Sequence, residues 1–309
     1  MKVVFMGNPS FAIPSLEKLT KSRHEVMGVV SNPPKPMGRQ KNMKYTAVGE
    51  YAHQREVTLL EPVSLHNEKI ISQLNSFKAD VFVVVAYRIL PKSIFAIPKL
   101  GSINLHASLL PENRGAAPIQ WALMNGEKYT GVTTFIINPK VDTGDILLQK
   151  KIDIHDSDDF GILSEKLSRI GADLIINTLE LMEEGKVQPA SQDMDLATQA
   201  PKISKEMTTI NWNWPALKIH NWIRGLSPKP GMSTTLHGQR IRVFKTVVID
   251  DLEQCIPGVV QNQSRDELII STGANHLSII ELQQEGRKRL HIAEFLRGHT
   301  ISIGEAFTW

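Results

Sequence analysis

The sequence predicts an α/β domain built on a mostly parallel sheet, followed by a smaller β-rich domain. In the first half of the chain, short apolar runs alternate with segments of helical periodicity, which indicates parallel strands joined by crossover helices. From residue 210 onward, short strand-like runs follow one another closely, as is typical of a small barrel. The 309 residues are enough for roughly two domains. We expect the first domain over 1–188, a linker over 189–206 and the second domain over 207–309.

The strands of the first domain are predicted where apolar residues run together. Residues 81–85 are apolar at every position, which suits a strand covered on both faces. Further strands are predicted at 3–6, 26–30, 103–106 and 132–137. Shorter helices are predicted at 11–19 and 70–74, where apolar residues recur at helical spacing. A long helix begins at Asp158 and Asp159, whose charges favour a helix N-terminus, and ends at Gly185.

The pattern changes after this helix. Residues 186–200 are polar and show no periodicity, so we predict no regular structure for them. A short helix is predicted at 216–224, ahead of the Pro/Gly-rich turn 228–231. The strands of the second domain are predicted at 240–248, 258–261, 268–271 and 277–281.

Composition excludes several classes of protein. A single cysteine, Cys255, cannot form an internal disulfide, which suits a reducing compartment. No apolar run is long enough to span a membrane, and the N-terminal residues enter a strand pattern without a secretion signal. We therefore expect a cytoplasmic protein. The net charge of +3 permits a polyanionic partner without requiring one.

Three polar residues are candidates for chemistry. Asn104 and His106 lie two positions apart at the end of a predicted strand, so their side chains share one face. An amide and an imidazole side by side can polarise a carbonyl and stabilise the charge that develops on attack. Asp142 could orient the imidazole, hold a water or accept a proton. Taken singly, each is more often a core histidine, a cap or a turn residue, and spacing alone does not bring Asp142 to His106.

Several motifs together narrow the alternatives, and they occur in order along nearly the whole chain. They are Phe5-Met6-Gly7-Asn8-Pro9-Ser10-Phe11-Ala12, Pro36-Met37-Gly38-Arg39, Asn104-Leu105-His106-Ala107-Ser108-Leu109-Leu110-Pro111, Arg114-Gly115-Ala116-Ala117-Pro118-Ile119-Gln120, Asp142-Thr143-Gly144-Asp145 and Lys202-Ile203-Ser204-Lys205-Glu206. In this combination the chain resembles the folate-dependent formyltransferases, most closely those members that act on methionyl-tRNA. The likeness is most specific from 104 to 120.

The resemblance implies a Rossmann-like first domain, an OB-like barrel and 10-formyltetrahydrofolate as the formyl donor. It assigns the catalytic roles to Asn104, His106 and Asp142. On this assignment we expect the acceptor amine to attack the formyl carbon directly, Asn104 and His106 to stabilise the oxyanion, and Asp142 to orient the imidazole or a water and to assist proton removal. The residues expected at the folate are Ala86, Tyr87, Ile89, Leu90, Ser108, Leu109, Leu110 and Pro111.

The resemblance also implies where a tRNA is held. The loop over 32–44 carries four cationic residues and no acid, and its prolines and glycine oppose helix formation. From charge alone it is an ordinary solvated loop. In the family the matching loop holds the acceptor end of the tRNA, which assigns phosphate or base contacts to Arg39 and Lys41. Lys202 and Lys205 are further candidates on the second domain. We expect a monomer with tRNA and folate as partners, no membrane contact and no metal.

The chain departs from the family pattern at two places, and several alternative functions remain. The family commonly has a glycine and one more residue in the segment 86–91, where this chain has Arg88, and Pro34 replaces an acid often seen in the basic loop. The nearest rival is a formyltransferase acting on a sugar-nucleotide amine, and a formyltransferase acting on glycinamide ribonucleotide lacks a second domain. A Rossmann-type nucleotide-binding module would need more glycines than Gly7 after the first strand. An inactive tRNA-binding protein leaves the catalytic set without a reason.

Overall fold

The structure, a computed structural model, describes residues 1–37, 42–250 and 255–308. The chain divides into two compact units. The first comprises Met1–Pro118, Thr130–Ile152 and Ser164–Ala200. The second comprises Ile119–Tyr129, Asp153–Leu163 and Pro201–Trp309, so two short segments from the first half of the sequence belong to it.

The first unit is built on a seven-stranded sheet, as far as the described residues go. Along the chain, its region contains β1 (Lys2–Gly7), β2 (Glu25–Val30), β3 (Lys35–Met37), β4 (Asn42–Lys44), β5 (Leu59–Leu60), β6 (Val81–Val85), β7 (Ser102–His106), β8 (Tyr129–Ile136) and β9 (Ile146–Asp153). The sheet order is β5-β2-β1-β6-β7-β8-β9, and β3 and β4 form a separate antiparallel pair. All pairings from β5 to β7 are parallel, and β8 runs antiparallel to β7.

Helices alternate with these strands along the chain. They are α1 (Ile13–Thr20), α2 (Ala47–Gln54), α3 (Glu68–Ser76), α4 (Lys92–Phe95), α5 (Pro118–Met124) and α6 (Phe160–Glu183). The Thr46 hydroxyl caps α2 by accepting from the Gly49 amide at 2.9 Å, and Asn67 caps α3 in the same way. The helix α6 lies within the long helix predicted from Asp158 to Gly185.

The central strands fix where the site lies. Every residue of β6 is buried, as are residues 3–7 of β1, so both faces of this part of the sheet are covered. Since β1, β6 and β7 are parallel, Gly7, Val85 and His106 end at one edge. Ligands of open α/β sheets bind at this carboxyl edge.

The second unit contains an antiparallel sheet, consistent with a small barrel. Its strands are β10 (Met232–Leu236), β11 (Gln239–Ile249), β12 (Val260–Gln263), β13 (Leu268–Ser271), β14 (His276–Gln284) and β15 (Leu290–His291), and its later helices are α7 (Ala216–Gly225) and α8 (Ile292–Leu296). The order is β10-β11-β14-β13-β12, with β15 paired to β14. Trp212 is fully buried in its core, and its Nε1 donates to Thr234 Oγ1 at 3.0 Å.

The predicted fold class is confirmed, and the differences have local causes. β9 was not predicted because its residues 149–151 are exposed and polar, so the strand lacks an apolar run. β10 was missed because Ser233, Thr234 and Thr235 supply hydroxyls where hydrophobic side chains were expected. The two ends of the basic loop pair as β3 and β4 rather than forming a loop throughout. No helix of the described ranges is both long enough and apolar enough for a bilayer.

Candidate active site

Strand β7 brings Asn104 and His106 to the carboxyl edge of the sheet. The pairing of β7 with β6 on one side and β8 on the other fixes their backbone, with Asn104 opposite Val84 and Phe135. Asn104 is half-buried, whereas His106 is buried. Among the described residues, no hydrogen bond engages the Asn104 side chain, so its amide is available to a ligand.

The ring of His106 is held by one of its nitrogens. Nε2 lies 2.9 Å from the carbonyl oxygen of Asn113. A carbonyl oxygen only accepts, so Nε2 carries a hydrogen and donates it. This hydrogen bond leaves Nδ1 as the nitrogen available for chemistry.

Asp142 meets His106 on the Nδ1 side. Its Oδ2 lies 3.8 Å from Nδ1, and the two side chains are only 11% and 7% exposed. The same Oδ2 accepts a hydrogen bond of 2.9 Å from the Gly115 amide. The structure thus brings the carboxylate beside the imidazole, at a distance that a small closure or a bridging water would convert into hydrogen bonding.

The turn that carries Asp142 is built from local polar contacts. The Asn138 carboxamide oxygen accepts from the Lys140 amide and from the Thr143 hydroxyl, both at 3.0 Å. Asp142 has φ of 54°, in the left-handed region that aspartate tolerates better than most residues. Gly144 packs so closely on strand β8 that a Cβ there would overlap the Ile136 carbonyl oxygen. This close approach requires glycine.

The segment 108–111, predicted to contact folate, is fixed by hydrogen bonds within the first unit. The Thr133 hydroxyl donates to the Ser108 carbonyl at 2.7 Å, and Gln149 Nε2 donates to the Leu110 carbonyl at 2.8 Å. The Ser108 hydroxyl itself donates to the Glu112 carbonyl. Ser108 and Leu110 are buried, whereas Leu109 and Pro111 are half-buried, so the latter two leave more surface for a ligand.

The second predicted folate segment follows β6. Ala86 is exposed and has φ of 49°, Ile89 is 76% exposed, and Leu90 is buried in the core. Burial raises the pKa of the Tyr87 phenol, against a hydrogen bond from Arg88 that lowers it.

The residue that departs from the family pattern has a defined local role. Arg88 Nη2 donates to the Pro62 carbonyl at 2.7 Å and to the Tyr87 hydroxyl at 2.8 Å, and Nη1 donates to the Val63 carbonyl at 3.0 Å. Arg88 therefore ties the end of β6 to the chain at 62–63.

The predicted tRNA contacts divide into two groups. Arg39 and Lys41 lie outside the described residues. Lys202 and Lys205 are exposed at the start of the second unit's main segment, open to solvent as a phosphate contact requires. Within the described ranges, no group of His, Cys, Asp and Glu side chains forms a metal-binding arrangement.

Sequence reasoning missed three polar residues around the site. Arg114 belongs to the motif over 114–120 but has no predicted role, and Gln192 and Thr198 lie in the stretch 186–200, for which no regular structure is predicted. Thr198 is hydrogen-bonded to Asn113 in the loop after β7, Gln192 to the turn that carries Asp142, and Arg114 to Gln192. Nothing in their spacing indicates these contacts, since they join positions about 50–85 residues apart.

The fold agrees with comparison to known protein families. A family model described as formyl transferase matches residues 1–179, and one described as formyl transferase, C-terminal domain, matches 202–300. The methionyl-tRNA formyltransferase of Caldanaerobacter subterraneus subsp. tengcongensis is 44% identical over 306 residues, covering 98% of this chain and 99% of the relative. The chain belongs to the methionyl-tRNA formyltransferase family of enzymes, which confirms the resemblance.

Solved structures of lower identity share the fold. HypX from Aquifex aeolicus in complex with tetrahydrofolic acid matches with a TM-score of 0.67 at 18% identity, covering 98% of this chain but only 50% of HypX. An N-formyltransferase from Helicobacter canadensis, in complex with folinic acid and dTDP-3-aminofucose, matches with a TM-score of 0.68 at 19% identity, over 92% of this chain and 99% of that one. At these identities the likeness shows the fold alone.

Proposed function

We propose that this protein transfers the formyl group of 10-formyltetrahydrofolate to the amino group of methionyl-tRNA, the initiator species, and so supports translation initiation. A relative named methionyl-tRNA formyltransferase is 44% identical over 98% of this chain. The observation that carries the chemistry is the convergence of Asp142 Oδ2 on His106 Nδ1, 3.8 Å apart, beside the free amide of Asn104.

Direct attack accounts for this arrangement. The acceptor amine attacks the formyl carbon, forming a new carbon–nitrogen bond and a tetrahedral oxyanion. Asn104 donates to that oxyanion through its amide. His106 contributes through Nδ1, because its Nε2 already donates to the Asn113 carbonyl. Removing one such donor typically costs about 100- to 1,000-fold in rate.

Asp142 orients the imidazole of His106 and takes up the proton of the attacking amine. The carboxylate lies 3.8 Å from Nδ1, where it can orient the imidazole directly or through a water. Asp142 accepts the proton released by the attacking amine, directly or through a water. The bond from the formyl carbon to folate N10 then breaks as N10 is protonated, so a single proton passes from acceptor to leaving group.

The acceptor end of the tRNA is assigned to the basic loop. The β3–β4 pair sets Lys35 opposite Lys44, both exposed, and Arg39 and Lys41 lie between them in sequence. Lys202 and Lys205 supply phosphate contacts on the second unit. Phosphate contacts position a nucleic acid without reading its sequence, so these lysines fit a tRNA acceptor but do not select among tRNAs.

The test offers three acceptor conditions to the purified protein with 10-formyltetrahydrofolate: charged initiator tRNA, a sugar-nucleotide amine and no acceptor. We expect formyl transfer only to the tRNA. Product with the sugar nucleotide alone would replace the proposed acceptor by that of the sugar formyltransferases.

The same assay tests the catalytic assignment. We expect Asn104→Ala, His106→Ala and Asp142→Ala each to keep the fold, by circular dichroism and thermal unfolding, and to lose nearly all turnover. Full activity in any one of them removes that residue from the mechanism.

A further inference from the structure

The chain that follows α6 contacts both the turn that carries Asp142 and the loop at 113–114 in the first unit. Gln192 uses both ends of its side-chain amide. Its Nε2 donates to the backbone carbonyls of Asp142 at 3.0 Å and Gly144 at 2.7 Å. Its Oε1 accepts from Arg114 Nε at 3.0 Å and Nη2 at 2.6 Å. Gln192 therefore connects the buried Arg114 to the turn that carries Asp142.

A second connection reaches His106. The Thr198 hydroxyl oxygen accepts from the Asn113 amide at 2.8 Å, and the Asn113 carbonyl is the group that holds His106 Nε2. Backbone bonds reinforce this contact: the Arg114 amide donates to the Thr198 carbonyl at 2.9 Å, and the Ala200 amide donates to the Arg114 carbonyl at 2.6 Å.

We infer that Gln192 and Thr198 are positioning residues, which hold Asp142 and His106 in the relative position that the proposed reaction needs. The inference rests on that proposed function. Each acts through another group: Gln192 through the backbone of the Asp142 turn, and Thr198 through Asn113. The segment over 192–200 is thus the part of the site that fixes the separation between carboxylate and imidazole.

The hydrogen bonds from Gln192 set the position of the turn that carries Asp142. Asp142 sits in the left-handed region, which surrounding contacts must maintain. The turn's carbonyls at 142 and 144 are both satisfied by one donor, so losing that donor leaves two acceptors unpaired and frees the turn to shift. A catalytic group displaced by about 1 Å can lose about 100-fold in rate.

Gln192→Glu removes the donor side of this contact. Glutamate keeps the acceptor for Arg114 but has no donor for the two carbonyls, so Arg114 stays paired while the Asp142 turn is released. We expect kcat to fall about 10- to 100-fold, with the KM values of donor and acceptor within about twofold of wild type. The Gly115 amide, which donates to Asp142 Oδ2, should exchange faster with solvent. Gln188→Glu, the same change at an exposed glutamine four positions earlier, is the matched control and should alter neither.

Thr198→Val tests the second connection with little change of shape. It removes the acceptor of the Asn113 amide and keeps the branched side chain, so it remains informative even where Gln192→Glu fails to fold. We expect a fall in kcat with unchanged KM. Wild-type kcat in folded Gln192→Glu and Thr198→Val overturns the inference, as does a loss shared equally between kcat and both KM values. Failure of the wild-type protein to formylate charged initiator tRNA would instead overturn the proposed function, so the two failures are distinguishable.

Discussion

A methyl group added at Gly144 should impair turnover without touching any catalytic side chain. In Gly144→Ala the new Cβ would overlap the Ile136 carbonyl oxygen and lie 2.8 Å from the Ile136 carbonyl carbon. Both atoms belong to strand β8, which is locked between its neighbours, so the turn has to move. Gly144 lies outside the left-handed region, so the effect arises from space rather than from backbone conformation.

The size of the effect follows from how far the turn must shift. Relieving the overlap takes roughly 1 Å or more, and a misplacement of about 1 Å can lower a rate about 100-fold. Asp142, two residues away, moves with the turn and leaves its place beside His106. We also expect a loss of about 1–3 kcal/mol in the free energy of unfolding, as is usual for overpacking a tight contact.

Steady-state formyl transfer and thermal unfolding separate these two effects. Gly144→Ala should remain folded at the assay temperature while kcat falls about 100-fold. Gly298→Ala is the control, because its Cβ would meet only the Phe295 carbonyl oxygen at 3.9 Å and its φ is also outside the left-handed region. A folded Gly144→Ala protein with wild-type kcat would refute the argument that the close approach at 144 sets the position of Asp142.

Three further outcomes are expected. Arg39→Ala should raise the KM for charged tRNA severalfold and leave the KM for the folate unchanged; an equal rise in both would argue against a tRNA contact. Trp212→Ala should lower the free energy of unfolding by about 3–5 kcal/mol in chemical denaturation, since it empties the core of the second unit. Hydrogen bonds from the Lys2 amide and from Lys99 lower the pKa of Asp80, so its contribution to stability is full above about pH 4 and lost as the pH falls further. Asp80→Asn should therefore cost about 1 kcal/mol at pH 7, and the difference from wild type should shrink in acid.

The sequence predicts the scaffold of this protein well because its central strands are apolar throughout. The run over 81–85 and the buried β1 leave little alternative to strands covered on both faces, and α6 shows a long apolar stripe. Edge elements were missed where that contrast weakens, as in β9, whose exposed middle carries Gln149, Lys150 and Lys151.

The candidate site also contains residues that the sequence predicts and residues that it does not. The pairing of Asn104 with His106 follows from strand geometry, because residues two apart share a face. The approach of Asp142 does not follow from spacing, since it depends on how a turn more than thirty residues later packs on β8. Its selection came from family resemblance, and the structure brings the carboxylate to the imidazole. Gln192 and Thr198 lay beyond both kinds of reasoning, because polar residues in an aperiodic stretch carry no signal of the partners they find.

The contact of Gly115 with Ala200 has a practical consequence for dissecting the protein. A Cβ at Gly115 would lie 2.7 Å from the Ala200 carbonyl oxygen, and the Ala117 amide donates to that same oxygen at 3.1 Å. An N-terminal fragment that ends at 188 would lack the segment 192–200 and would expose the loop at 113–117 and the turn at 142–144, which this segment contacts. Chimeras that exchange the C-terminal portion between relatives should therefore be joined after Ala200, so that each first unit keeps its own segment 192–200.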